Sequence, residues 1–232
     1  MLVDIKCQDC PVHKGSYFNS LDPCDLRDLW HKKTCYFYKK GQVIFYEGKR
    51  PLGIYCIHSG RIKISKLGIE GKEQIVRIAQ AGDLLGLRSL ISGRNYANSA
   101  TTIDDSIVCF VNKRKFFQTT IRYPEISTRI MITLSKLLEE AEQKITSMAQ
   151  KPVRERLAEA LLTLNDVFHS DGCPNTIISL TREDLANMVG TANETVIRLL
   201  SEFKEEKMVA VKGRKIFILD KKGLQRMAKL YQ

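Results

Sequence analysis

Leu180–Phe203, LTREDLANMVGTANETVIRLLSEF, encodes two short helices joined by a tight turn, and this stretch decides the architecture of the C-terminal part of the chain. Leu185 and Val189 lie four apart on one helical face, with Ala186 beside them where two helices must approach closely. Gly190 ends the first helix, because the residue after a helix commonly takes a left-handed backbone conformation that glycine adopts without steric penalty. Val196, Leu199, Leu200 and Phe203 then recur at spacings of three and four and mark the inner face of a second helix. Its outer face carries Asn193 and Glu194 in the first turn and Arg198 one turn on. Side chains near the N-terminal end of a recognition helix meet base edges in a major groove, where Arg pairs bidentately with guanine, Glu accepts from cytosine and Asn suits adenine. A plain helical hairpin with a solvated charged face has the same periodicity, so the flanking sequence must decide between the two.

Downstream, Lys207-Met208-Val209-Ala210-Val211 and Ile216-Phe217-Ile218-Leu219 are β-rich runs separated by Lys212-Gly213-Arg214-Lys215. The pattern predicts a hairpin with a basic tip, a wing beside the helix-turn-helix, from which Lys212, Arg214 and Lys215 reach phosphates.

At 232 residues the chain can hold one large domain or two modest ones. A hydrophobic fraction of 44% and a charged fraction of 27% are those of a soluble globular protein. No apolar run approaches the roughly 20 residues that cross a bilayer, and MLVDIKCQDC lacks the apolar core of a signal peptide, so a cytoplasmic location without membrane contact is expected. The net charge of +11 favours a polyanionic partner. Residues 151–232 hold 14 basic and 11 acidic side chains, a balance of +3, so +8 lies before them. The case for DNA therefore rests on geometry more than on charge.

From about Phe37 to Phe110, glycines divide the chain into short runs, among them Val43–Tyr46, Gly53–Ile57, Arg61–Ile64, Gln74–Ile78 and Ser106–Phe110. Short strands with turns at this spacing predict an antiparallel barrel or sandwich. The period changes near Tyr123. From Ser127 to Met148 the apolar positions Ile130, Leu134, Leu137, Ala141 and Met148 follow a three-four alternation, with Lys144 interrupting it and Ile145 alongside, which predicts one long helix with a narrow apolar seam. Such a seam packs either on the chain's own barrel or on the same helix of a second subunit. Pairing suits a reader of two-fold symmetric DNA, whose half-sites lie about 34 Å apart. Lys151-Pro152 marks the next boundary, helical periodicity resumes at Val153, and Asp171–Asn175 reads as a loop. The expected organisation is α+β: residues 1–122 a cysteine-bearing segment and sensory β-barrel, 123–150 a dimerisation helix, 151–232 a winged helix-turn-helix.

This order of parts resembles the Crp/Fnr superfamily of bacterial transcription regulators over nearly the whole chain. The likeness is carried by Gly53-Ile-Tyr-Cys-Ile-His-Ser-Gly60-Arg-Ile-Lys, Gly82-Asp83-Leu-Leu-Gly86, Arg154-Glu-Arg-Leu-Ala158, Leu180–Ala186 and Glu194-Thr-Val-Ile-Arg-Leu-Leu200. The resemblance implies a jelly-roll, cyclic-nucleotide-binding-like barrel, a homodimer, a two-fold symmetric double-stranded DNA operator and RNA polymerase as a partner. It gives base reading to Glu194 and Arg198 and backbone contacts to Thr181, Arg182 and Thr195. Asn193 and Ile197 stand where subgroups differ.

For the effector the resemblance divides. The pocket of the cyclic-AMP members corresponds here to Gly82, Asp83, Arg94 and Ser99, but Tyr96-Ala97-Asn98-Ser99 offers no arginine for the cyclic phosphate, which argues against cyclic AMP. The oxygen-sensing branch holds an iron-sulfur cluster on four cysteines. Cys7, Cys10 and Cys109 stand at three of those places and Ser16 at the fourth, where a serine replaces a soft thiolate. Cys24 or Cys35 supplies the missing sulfur only if the chain folds back. Zinc on Cys7, Cys10, Cys24 and Cys35 has no usual spacing, and reduced thiols, with Cys56 and Cys109 simply filling core positions, remain the third alternative. The Cys7/Cys10 spacing is that of a redox dithiol, but no strand and helix N-terminus flank it, and His13, His31, His58 and His169 are scattered, so an enzyme is not expected.

Overall fold

The computed structural model describes residues 2–3, 33–169 and 176–229. Cys7, Cys10, Ser16, Cys24 and the loop expected at Asp171–Asn175 lie outside them. Contacts group the chain into two compact units, Met1–Leu67 with Arg77–Glu139 and Gly68–Val76 with Glu140–Gln232. The long helix thus belongs to both units, whereas the sequence division at 122 and 150 follows changes of element type.

The first unit contains β1 (Leu2–Val3), β2 (Thr34–Tyr38), β3 (Val43–Phe45), β4 (Gly53–Ser59), β5 (Ile62–Leu67), β6 (Glu73–Ala79, which begins in the second unit), β7 (Leu84–Leu85), β8 (Ser99–Thr102) and β9 (Ser106–Asn112). These form two antiparallel sheets, ordered β1-β2-β9-β4-β7 and β3-β8-β5-β6, which do not close into a ring. Alternate residues of both sheets turn inward: Ile57 and Val108 from one, Ile62 and Ala100 from the other, belong to one fully buried cluster. Tyr96 is part of it, its ring stacked on Phe45 with centroids 4.0 Å apart. Gly86 makes room for that ring, since a Cβ there would sit 2.9 Å from it, and its φ of +80° is one only glycine adopts freely.

A second cluster joins Ile54, Leu84 and Val111 to α1 (Leu87–Ser92), α2 (Lys113–Arg122) and the first turns of α3 (Pro124–Gln150) through Leu87, Leu90, Phe116, Ile126 and Ile130. Here the expected seam divides: Ala141 and Met148 stay exposed, whereas its first members do not. Ile130 is only 4% exposed and packs in this unit's own core with Leu134 against it, so these members of the predicted seam face their own chain. The outward stripe lies one residue further round the helix, on Met131, Leu138 and Ile145, which are 60%, 61% and 68% exposed at successive intervals of seven. Lys144, an interruption in the first register, is out of place only there.

The second unit comprises the last turns of α3, then α4 (Val153–Phe168), β10 (Ile178–Ser179), α5 (Arg182–Val189), α6 (Asn193–Glu205), β11 (Val209–Lys212), β12 (Lys215–Ile218) and α7 (Lys221–Met227). Pro152 caps α4 with φ −55° and ψ 154°, the extended geometry that stops one helix and starts another. Leu157, Leu161 and Leu164 of α4, Leu185 of α5, Val196 and Phe203 of α6, Ile216 of β12 and Leu224 of α7 are all fully buried, so the three-four periodicity read at Leu180–Phe203 is the core face of a unit built from α4–α7 and a hairpin.

Candidate nucleic-acid interface

α5 begins at Thr181, whose hydroxyl accepts the Asp184 amide at 2.9 Å and donates to the Asp184 carboxylate at 2.7 Å. The helix ends at Gly190, with φ +75° and ψ 54°, where the Gly190 and Thr191 amides both return to the Ala186 carbonyl. A Cβ at position 190 would also lie 2.6 Å from the Met148 terminal methyl, so the turn is tight from outside as well. The remaining carbonyls at this helix end carry the negative pole of its dipole and are met by donors from far along the chain. Lys144 Nζ reaches Met188 O at 2.7 Å, Gln74 Nε2 reaches Asn187 O at 2.6 Å and Arg156 Nη2 reaches Gly190 O at 3.3 Å. Burial lowers the Lys144 pKa, with Arg156 adding to the effect and Glu159 opposing it.

α6 is the reader. Ala192 at its N-cap gives no side-chain cap, and the helix dipole favours an anion there. Val196, Leu199, Leu200 and Phe203 face the core, while Asn193, Glu194, Ile197 and Arg198 are exposed. Thr195 is half-buried beside them. Ile197, 48% exposed, puts an apolar surface between two charged ones on the face that would enter a groove. Arg198 donates from Nη1 to Glu202 one turn on, and Glu202 also accepts from Arg154 Nη1 of α4 at 2.6 Å. Arg154 in turn pairs with Glu206.

The wing is tighter than the sequence suggests. β11 and β12 extend to Lys212 and Lys215, which stand directly opposite each other, leaving Gly213-Arg214 as a two-residue turn. Lys212, Arg214 and Lys215 are exposed, and like charges facing across a ladder repel unless an anion lies near them. Arg182 holds this hairpin from below: its Nη2 donates to Gly213 O at 2.9 Å, while Nη1 is buried without a hydrogen-bond partner. Its burial lowers its pKa, and a guanidinium stays charged nonetheless.

Asn193, Glu194, Arg198 and the wing cations are all exposed, and Arg182, also named from the sequence, supports the wing. In the sequence Glu202 has no assigned role, Arg154 stands only within a motif of the resemblance, and Lys144 shows only as a break in a pattern.

In the first unit, Gly82 donates its amide to Ile57 O at 2.9 Å and Asp83 bonds Arg77 Nη1 and the Gln80 amide, each at 3.1 Å. Ser99 accepts the Glu47 amide at 2.9 Å, and Arg94 is exposed in the loop after α1. Each of the four candidate effector residues is placed, and three are engaged with other groups. Cys109 lies opposite Cys35 on one neighbouring strand and Cys56 on the other, with the Cys35 and Cys109 sulfurs 2.7 Å apart. The hydrogen bond with Cys35, and then burial, push the Cys109 thiol far above its ordinary pKa. Two thiols are half of what a four-cysteine cluster uses, and among the described residues no group of three or more His, Cys, Asp or Glu is placed to hold a metal ion. Nor, among these residues, is any helix long and apolar enough to cross a membrane.

Residues 36–123 match the cyclic nucleotide-binding domain family, and residues 155–227 match the Crp-like helix-turn-helix domain. The chain is 30% identical, over 97% of its length and 90% of theirs, to the fumarate and nitrate reduction regulatory proteins of Vibrio cholerae and of Escherichia coli K12. Its fold is similar to that of FixK2 from Bradyrhizobium japonicum, with a TM-score of 0.75 and 24% identity over 84% of this chain and 96% of that one. It is also similar to a CRP/FNR-family transcriptional regulator from Thermus thermophilus, with a TM-score of 0.72 and 25% identity over 84% and 98% of the two chains. With relatives 30% identical spanning almost its full length and a Crp-like helix-turn-helix domain, the chain belongs to the Crp/Fnr family, as a DNA-binding transcription regulator and not an enzyme.

Proposed function

We propose that this regulator acts as a homodimer, laying the two copies of α6 into adjacent major-groove turns of a two-fold symmetric operator. The observation that carries the reading is the outer face of α6: Asn193, Glu194, Ile197 and Arg198 exposed at the end of a helix whose first-turn amides lack a side-chain cap. Glu194 and Arg198 read bases, Thr181, Thr195 and Arg182 lie at the edge of the duplex, and Lys215 with its wing neighbours meets phosphates. The outward stripe of α3 supports pairing, because three large apolar side chains at heptad spacing are left open to solvent within one protomer. RNA polymerase is the downstream partner, and the cytoplasm the location.

The N-terminal unit carries the signal, and we favour a cysteine-borne signal over a cyclic nucleotide. Asp83 is engaged by Arg77, Arg94 stands in solvent, and Tyr96 fills the space between the sheets, whereas Cys35 and Cys109 bring two sulfurs together. Anaerobic purification with an absorption spectrum and iron and sulfide analysis tests this second point. Iron and sulfide lost in Cys35→Ser and Cys109→Ser would assign a cluster to these sulfurs, a colourless, iron-free protein would leave them as a thiol pair, and binding of cyclic AMP by calorimetry would overturn the reading.

Selection of duplexes from a randomised pool tests the main reading. An inverted repeat with half-sites about 34 Å apart is the expected product. Arg198→Ala should then cost about 1–3 kcal/mol per half-site and relax preference at one base pair. Recovery of no preferred sequence, or equal weakening on specific and random DNA, would overturn the reading.

A further inference from the structure

We propose that Glu202 is a positioning residue for base reading: held from behind by Arg154, its carboxylate fixes the guanidinium of Arg198 on the outer face of α6. The inference rests on Arg198 contacting a base.

The three side chains form a graded series. Arg154 projects from the first turn of α4, its guanidinium 5.1 Å from the ring centroid of the fully buried Phe203, and it donates to both Glu202 and Glu206. It is thus fixed by stacking and by two ion pairs. Glu202 offers one carboxylate oxygen to Arg154 and the other to Arg198, and its side chain is 31% exposed against 65% for Arg198. Order therefore passes outward, from the core through Arg154 and Glu202 to the residue nearest the DNA.

Such an arrangement leaves Arg198 well equipped. A guanidinium has five N–H donors, and the pair with Glu202 engages only Nη1. The Nη2 and Nε edge stays available for the two acceptors of a guanine. An exposed pair four residues apart on a helix adds little to folding stability, so its consequence is read in recognition. Ordering a long side chain at an interface costs about two- to tenfold in affinity, a cost already met here before DNA arrives. The carboxylate also stands near a polyanion and disfavours every sequence alike, which lowers the background against which a guanine is chosen.

The two effects separate experimentally on the duplex recovered by selection and on random DNA. Glu202→Asp keeps the charge and shortens the reach, whereas Glu202→Gln removes the charge. Both should lose about two- to tenfold in discrimination at the base pair that Arg198→Ala relaxes. Only Glu202→Gln should also bind random DNA more tightly and steepen the salt dependence, by about one unit. Glu206→Gln, which pairs with Arg154 and not with Arg198, should lose less discrimination than either Glu202 variant, and circular-dichroism melting of each variant verifies folding. Added to Arg198→Ala, Glu202→Asp should cause no further loss of discrimination. Unchanged discrimination in both Glu202 variants, or an equal loss with Arg198 already gone, would overturn the inference while base reading by Arg198 stands. An Arg198→Ala variant that weakens all sequences equally would overturn both.

Discussion

Leu138→Ala separates the outward stripe of α3 from the helix's own core face. Within one protomer Leu138 is 61% exposed, so its contact with that protomer is small. Fully burying a leucine contributes about 1.5–3 kcal/mol, and covering the exposed 61% therefore contributes about 1–2 kcal/mol per copy. A symmetric dimer contains the residue twice, and the loss is about 2–4 kcal/mol. At about 1.4 kcal/mol per factor of ten, the dimer dissociation constant should rise roughly 30- to 700-fold. Sedimentation equilibrium over a range of concentrations measures this, with the thermal midpoint of the monomer unchanged. Ile130→Ala makes the contrast: at 4% exposure it should destabilise the protomer by about 2–5 kcal/mol. If Leu138→Ala left the dissociation constant within about threefold of the parent, or if it lowered protomer stability as far as Ile130→Ala does, the stripe would not be the pairing surface.

Three further outcomes follow from the site and the core. Lys215→Ala should weaken binding to all sequences and lower the logarithmic salt slope by about one unit, and a filter-binding titration at several salt concentrations with no change in slope would refute the phosphate role. Ile197, exposed beside Arg198, should pack on a thymine methyl: replacing the relevant thymine by uracil should cost the parent about fourfold, the worth of one methyl group, and cost Ile197→Ser nothing. Burial, and then the charge of Lys33, lower the His58 pKa below its ordinary 6.5. The unfolded chain therefore takes up this proton first as the pH falls. His58 contributes nothing to the pH dependence well above 6.5 and lowers stability as the pH drops from there through the folded value. His58→Gln should flatten that acid limb in urea midpoints compared between about pH 7.5 and about pH 5, and an unaltered limb would contradict the assignment.

The C-terminal fold was legible because one pattern served two purposes. The spacing of Val196, Leu199, Leu200 and Phe203 that buries α6 also determines which side chains remain outside, so Asn193, Glu194 and Arg198 could be named from periodicity alone. The long helix was legible in extent, and its predicted seam splits, Ile130 and Leu134 packing in the first unit and Met148 lying exposed. Two apolar faces overlap on it, one buried against the first unit's core and one exposed, and periodicity does not distinguish a side chain that packs at home from one left open. The short elements Leu84–Leu85 and Leu87–Ser92 carry too few residues to show a period. Arg154, Lys144 and Gln74 were beyond reach for another reason: each acts through a partner distant in sequence, and ion pairs and backbone contacts of that range leave no local trace, whereas the Arg198–Glu202 pair is only four residues apart.

Lys144 and Gln74 have a practical bearing on how this regulator is dissected. A fragment cut at the Lys151-Pro152 junction would retain every residue of α5 and α6 yet discard the ammonium and the carboxamide that engage the Met188 and Asn187 carbonyls. Water would take over at those two oxygens, and the last turn of α5 would fray beside the hinge at Gly190. An excised head of this kind should still fold around Phe203, but it would present α6 at a looser angle than the intact polypeptide does.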